Sequence, residues 1–236
     1  MPDGAAAGPA VLLLHGFSSR KEEMAESFGG ALLRYGIASI ATDLPFHGAR
    51  ASGLTRLSLQ NPVALVTAWK LALRESALAV DHIVNLPGVD PQRIGILGFS
   101  LGSYLSIFVA GKDPRIKSIA LVAGGDLPAR TPFASLVRTV ADPLRAVKAL
   151  AGRPLLMMDG TRDRMILPDQ ARALFAAAAE PKELCWYEGG HHPPRSAVND
   201  AAQWMASRLE ARPSAPSAPP DAPEGSSQSP RLRKAS

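Results

Sequence analysis

Apolar residues gather in six short runs, at 11–14, 37–41, 94–98, 118–122, 155–158 and 184–187. Each is nearly continuous rather than alternating, the pattern of a strand buried on both faces. The stretches between them carry helical signals. Ser19 followed by Glu22 reads as a capping box opening a helix that runs to Tyr35, with Gly36 as its stop. Asn61 and Pro62 supply a cap and first turn for a long helix, whose face of Leu65, Trp69, Leu73, Ala77, Val80 and Val84 follows the 3.6-residue period. Pro87 and Gly88 end it, and two more helices are predicted over 169–179 and 199–211. Strand and helix alternate, which predicts an α/β fold: a doubly wound, mainly parallel sheet of about six strands with helices on both faces.

Three stretches fall outside that alternation. The first ten residues are rich in Gly, Ala and Pro and read as a loop. Residues 127–153 read as a short helical flap over the sheet. From Arg212 onward the chain is Pro-, Ser- and Ala-rich without an aromatic residue, so a domain over 1–211 and a disordered basic tail over 212–236 are expected.

The 236 residues suit one domain with a sizeable core, and 46% apolar with 20% charged residues is an ordinary globular composition. The net charge of +5 includes +2 from the tail, where Arg212, Arg231, Arg233 and Lys234 oppose Asp221 and Glu224. The remainder is too scattered to predict a nucleic-acid partner. Cys185, the single cysteine, excludes an internal disulfide and a Cys-rich zinc site, and its apolar-aromatic surroundings predict a small buried side chain. The N-terminus lacks the pattern of a secretory signal, and no run approaches the length of a membrane span, so a cytoplasmic protein without membrane contact is expected. Oligomeric state is not legible.

Gly98-Phe99-Ser100-Leu101-Gly102 follows the run 94–98 directly and opens a helix with an apolar face of Leu101, Tyr104, Leu105, Phe108 and Val109. G-x-S-x-G alone is a weak signal, but between strand and helix it has the context of a nucleophile elbow. Such a turn strains the serine backbone and projects its hydroxyl at a helix N-terminus, where backbone N–H groups stabilise an oxyanion. Ser100 is therefore the candidate nucleophile.

Several further stretches resemble the α/β hydrolases, nearest to the dienelactone-hydrolase-like and small serine esterase branch. Leu12-Leu13-Leu14-His15-Gly16-Phe17 looks like a strand ending in an HG oxyanion turn, and Thr42-Asp43-Leu44-Pro45-Phe46-His47-Gly48-Ala49-Arg50 like the next strand's exit. Val89-Asp90-Pro91-Gln92-Arg93-Ile94-Gly95 resembles the lead into the elbow, Gly160-Thr161-Arg162-Asp163 an acid turn, and Gly189-Gly190-His191-His192 a histidine turn.

The resemblance implies a Ser100–His191–Asp163 triad with Phe17 and Leu101 N–H groups as the oxyanion hole, no cofactor, and a small-molecule acyl substrate. Asp159 or Asp126 could replace Asp163 as the acid, or Asp163 could merely cap a turn, and His192 could replace His191. His15 reads as shaping its turn, and His47 as either lining the pocket or bracing its loop. The paired histidines lack a third ligand at metal spacing, so no metal is expected. Most members carry an antiparallel strand pair before the HG strand. Only about ten residues precede it here, so either the fold is a minimal version, with a smaller sheet and a less protected edge, or this chain starts late. The activity implied is hydrolysis of a carboxylic ester or related acyl bond. A peptidase or acyl transferase with the same triad, or a non-catalytic binding module, are the alternatives.

Overall fold

Six strands pair in parallel in the order β2-β1-β3-β4-β5-β6: β1 (Gly8–Leu14), β2 (Ala38–Thr42), β3 (Val89–Phe99), β4 (Ile116–Val122), β5 (Leu155–Gly160) and β6 (Lys182–Tyr187). They come from a computed structural model that describes residues 7–51, 61–128, 131 and 133–211. The predicted tail over 212–236 lies outside the described residues. Between the strands run α1 (Lys21–Met24), a π-helical turn (Ala25–Gly29), α2 (Gly30–Leu33), α3 (Pro62–Val84), α4 (Leu101–Lys112), α5 (Ala134–Ala141), α6 (Pro143–Ala146), α7 (Pro168–Ala177) and α8 (Arg195–Arg208).

Side-chain alternation splits the interior into two cores. Leu12, Leu14, Ile94, Ile96, Ile119, Leu121, Leu155 and Met157 face α3, α4 and α7. Val11, Leu13, Leu97, Phe99, Ala120, Val122, Leu156 and Met158 face α8 and the helical stretch from α1 to α2. Central strands are thus covered on both sides, which is why they read as continuous apolar runs. The edges differ. In β6, Glu183, Cys185 and Trp186 are exposed, so the expectation of a buried Cys185 is corrected: an edge strand has a neighbour on one side only.

Other local readings also change. β1 starts at Gly8, inside the stretch read as a loop. Asn61 does cap α3, its Oδ1 accepting from the Val63 and Ala64 N–H groups. Of the expected face, Val80 is buried and Trp69, Leu73 and Val84 pack against the core, whereas Ala77 is exposed and Ala72, Ser76 and Ile83 complete the buried stripe. The Ser19 capping box does not form. Arg20 is the N-cap, Ser19 Oγ instead donates to Glu23, and the Lys21 N–H is taken by Asp43 from the end of β2. A carboxylate distant in sequence supplies the cap that a local residue was expected to supply.

Within 127–153, Val147 and Leu150 sit in the core beside α4. In α5 the buried residue is Ala141, and Arg138 ties the helix to Asp126 through a 2.7 Å ion pair.

The strand order reverses at β1, with β2 on one side and β3 on the other. At such a reversal the loops leaving the carboxyl ends of the two neighbouring strands run to opposite faces, and open α/β sheets bind ligands beside them. His15 and Ser100 stand immediately beyond those two ends.

Candidate active site

Ser100 joins β3 to α4 with φ 52° and ψ −112°, a strained backbone for a residue with a side chain. Packing holds it there. The Ser100 N–H donates to Val122 O at 2.9 Å, locking the turn to β4. A Cβ at Gly98 would collide with the Gly102 carbonyl, and one at Gly102 with the carbonyl of Leu14 at the end of β1. Both glycines flanking the serine by two are therefore required by close backbone approach.

His191 approaches from the turn after β6. Its Nε2 accepts from Ser100 Oγ at 2.8 Å and its Nδ1 donates to Asp163 Oδ2 at 2.7 Å. The other carboxylate oxygen, Oδ1, accepts the N–H groups of Met165 (2.7 Å) and Ile166 (3.1 Å). Burial alone would raise the Asp163 pKa. The bonds from His191, Met165 and Ile166 outweigh it and hold the carboxyl below its ordinary range. The Tyr187 hydroxyl donates to the His191 carbonyl, steadying the turn. The close approach that sets this turn is at Gly160, where a Cβ would collide with the Gly190 carbonyl.

The rival residues stand elsewhere. His192 is exposed, its ring 5.7 Å from that of His191. Asp126 binds Arg138 and accepts the Leu127 N–H. Asp159, 1% exposed, has no full hydrogen bond on either oxygen, and burial pushes its pKa up to about 8, with the nearby Gly124 N–H offsetting only part of the shift. In the sequence Asp159 stands only as a possible substitute for Asp163. Its isolation depends on packing that no local pattern records.

His15 is fully buried with both ring nitrogens engaged. Nε2 accepts the Leu44 N–H and Nδ1 donates to the Gly16 carbonyl. Its burial lowers its pKa, keeping the ring neutral. The Gly16 carbonyl and Phe17 N–H share one peptide plane and point in opposite directions, so His15 fixes the direction of that N–H. Among the described residues neither the Phe17 nor the Leu101 N–H donates to an acceptor. Asp43 holds the neighbouring loop, accepting from Lys21 N, Lys21 Nζ and Ala49 N. Despite the opposing effect of burial, these bonds bring its pKa down to about 2.

The sequence profile of the alpha/beta hydrolase family matches residues 11–224. The chain belongs to this family. Among curated relatives, the esterase YjfP of Escherichia coli is 24% identical over 225 residues, covering 82% of this chain and 86% of that protein. A carboxymethylenebutenolidase of Rhodococcus opacus is 30% identical over 147 residues, covering 57% of this chain and about half (54%) of its own length. The solved structure of a cold-adapted esterase from an Arctic intertidal metagenomic library superposes with a TM-score of 0.70 at 24% identity, covering 88% of this chain and 85% of that one. That likeness concerns the fold. Among the described residues, no helix is long and apolar enough to cross a membrane.

Proposed function

We propose that the chain is a serine hydrolase that cleaves a carboxylic ester through an acyl-enzyme. The observation that carries this reading is the unbroken relay from Ser100 Oγ to His191 Nε2 and from His191 Nδ1 to Asp163. A neutral serine is a weak nucleophile and needs a base within hydrogen-bond reach. In the first half-reaction His191 Nε2 takes the hydroxyl proton while Oγ bonds to the carbonyl carbon, and Asp163 stabilises the imidazolium. The Phe17 and Leu101 N–H groups receive the oxyanion, each such donor being worth about 3–4 kcal/mol in the transition state. Collapse of the tetrahedral intermediate expels the alcohol, which takes the proton from His191. Water then attacks the acyl-Ser100 ester with His191 again as base, releasing the acid and restoring the hydroxyl. The names of the esterase and butenolidase relatives agree with an ester or lactone substrate.

A fluorophosphonate probe and p-nitrophenyl acetate test the reading together. Labelling at Ser100, lost in Ser100→Ala together with several orders of magnitude in kcat, is the expected result. An Ala variant that folds and still labels or turns over would refute it.

A further inference from the structure

Phe17 places a 55% exposed phenyl ring on the residue whose N–H is the proposed oxyanion donor. A single exposed apolar side chain needs no explanation, but this one belongs to an ordered aromatic group. Its ring meets that of His47 edge-on, with centroids 5.4 Å apart at 80°, and His47 meets the buried His15 ring at 5.3 Å. His47 Nδ1 donates to the Pro45 carbonyl at 2.8 Å, which fixes the ring's orientation.

The imidazole side of Ser100 is aromatic as well. Phe99, nearly buried, lies 5.2 Å from the His191 ring and 5.5 Å from that of the exposed His192. Gly16 joins the two groups at their base: a Cβ there would lie 3.0 Å from the Phe99 ring and 3.2 Å from Ser100 Cβ. The reacting hydroxyl is thus bonded to one ring cluster through His191, and the other begins one residue beyond Gly16, which packs against Ser100. Each cluster ends in an exposed ring, His192 in the first and Phe17 in the second.

We propose that Phe17, held by His47, and His192, held by Phe99, select esters carrying an aromatic ring within one methylene of the scissile carbonyl or its ester oxygen. The inference rests on the hydrolase reading above. An aryl group brought to Ser100 presents both a face and an edge to these rings, in the offset or edge-to-face contacts that aromatic pairs favour beyond the area they bury. A cyclohexyl group of similar size brings the apolar area without the ring quadrupole. Selectivity between the two isolates the ring contact from simple hydrophobic burial.

The experiment compares kcat/KM for benzyl acetate against cyclohexylmethyl acetate, and for methyl phenylacetate against methyl cyclohexylacetate, each value divided by that ester's rate constant for hydrolysis by hydroxide, because the aryl member of each pair is intrinsically the more reactive. The full chain is expected to prefer the aromatic member by roughly three- to tenfold in at least one pair, and the responding pair identifies which side of the ester meets the rings. Phe17→Leu and His192→Leu, checked for folding by circular dichroism, should each bring that ratio down toward one. A ratio near one in both pairs, or a preference unchanged in either variant, overturns the inference while leaving the hydrolase reading intact. Absence of both probe labelling and p-nitrophenyl acetate turnover in the full chain overturns the hydrolase reading, and this inference with it.

Discussion

Asp159→Asn should stabilise the protein by an amount that grows with pH. The parent carboxyl is buried without a full hydrogen bond and titrates at about 8, against 3.8 for an unperturbed aspartate. It therefore stays protonated in the folded chain at pH values where the unfolded chain has released the proton. For a group whose folded pKa is raised, stability is fully present below the unfolded pKa and is lost as pH rises to the folded one. Each pH unit in that window costs about 1.4 kcal/mol, so the parent gives up about 4 kcal/mol by pH 7 relative to acid conditions. Asparagine does not ionise and escapes this loss. Its amide is as poorly partnered as the acid it replaces, so the cost of about 1–3 kcal/mol for burying an unpaired polar group is carried by both and does not vary with pH. The robust quantity is the slope: the stability of the variant relative to the parent should rise by about 3 kcal/mol between pH 5 and pH 7 and level off above pH 8. Urea denaturation followed by circular dichroism across that range measures it. A difference that stays flat from pH 5 to pH 7 would show that Asp159 is ionised in the folded chain, and would refute the account of its burial. The groups that bear on its titration are Gly124, through its N–H, and the Asp163 carboxylate.

Other outcomes follow from the site. His191→Ala should lose activity about as completely as Ser100→Ala, since groups that act as a unit fail together, whereas His192→Ala should lose at most about tenfold on p-nitrophenyl acetate; steady-state kinetics on folded variants separates them, and the reverse pattern would place the histidine turn one residue off. Gly102→Ala drives a methyl group into the Leu14 carbonyl. It should lower stability by about 1–3 kcal/mol and turnover by about a hundredfold, while Gly190→Ala, with nothing nearer than 4.0 Å, should stay within about 0.5 kcal/mol of the parent by urea melts. Truncation after Ala211 should leave the melting temperature and ester turnover unchanged, because residues 212–236 contribute no aromatic and little aliphatic surface to bury; a fall of several degrees would show that they dock on the domain.

The parts of the fold legible in sequence are those fixed by short-range patterns. The elbow from Gly98 to Gly102 declares itself because strand, strained serine and helix are contiguous, and the four central strands announce themselves by uninterrupted apolar runs. Asp163 is legible only through the resemblance of its turn, and its hydrogen bonds set it apart from Asp159 and Asp126. The features that escaped depend on partners far away in the chain. Asp43 reaches the Lys21 N–H across 22 residues and displaces the expected Ser19 cap. Cys185 is exposed because β6 takes the edge of the sheet, a matter of strand order rather than of its apolar neighbours. Gly160 is constrained by the backbone of Gly190, which is adjacent only once β5 and the turn after β6 are in place.

The relay to Ser100 draws on distant parts of the chain: His191 lies 91 residues from the serine and 28 from Asp163, and it follows an edge strand, β6. No local fragment holds even two of these side chains in register. Non-local pairing of this kind slows folding, because loop closure precedes the contacts that reward it. After dilution from denaturant, helical signal should therefore return well ahead of hydrolysis. Recovered turnover is then a clock for the docking of β6, the strand on which the histidine turn depends.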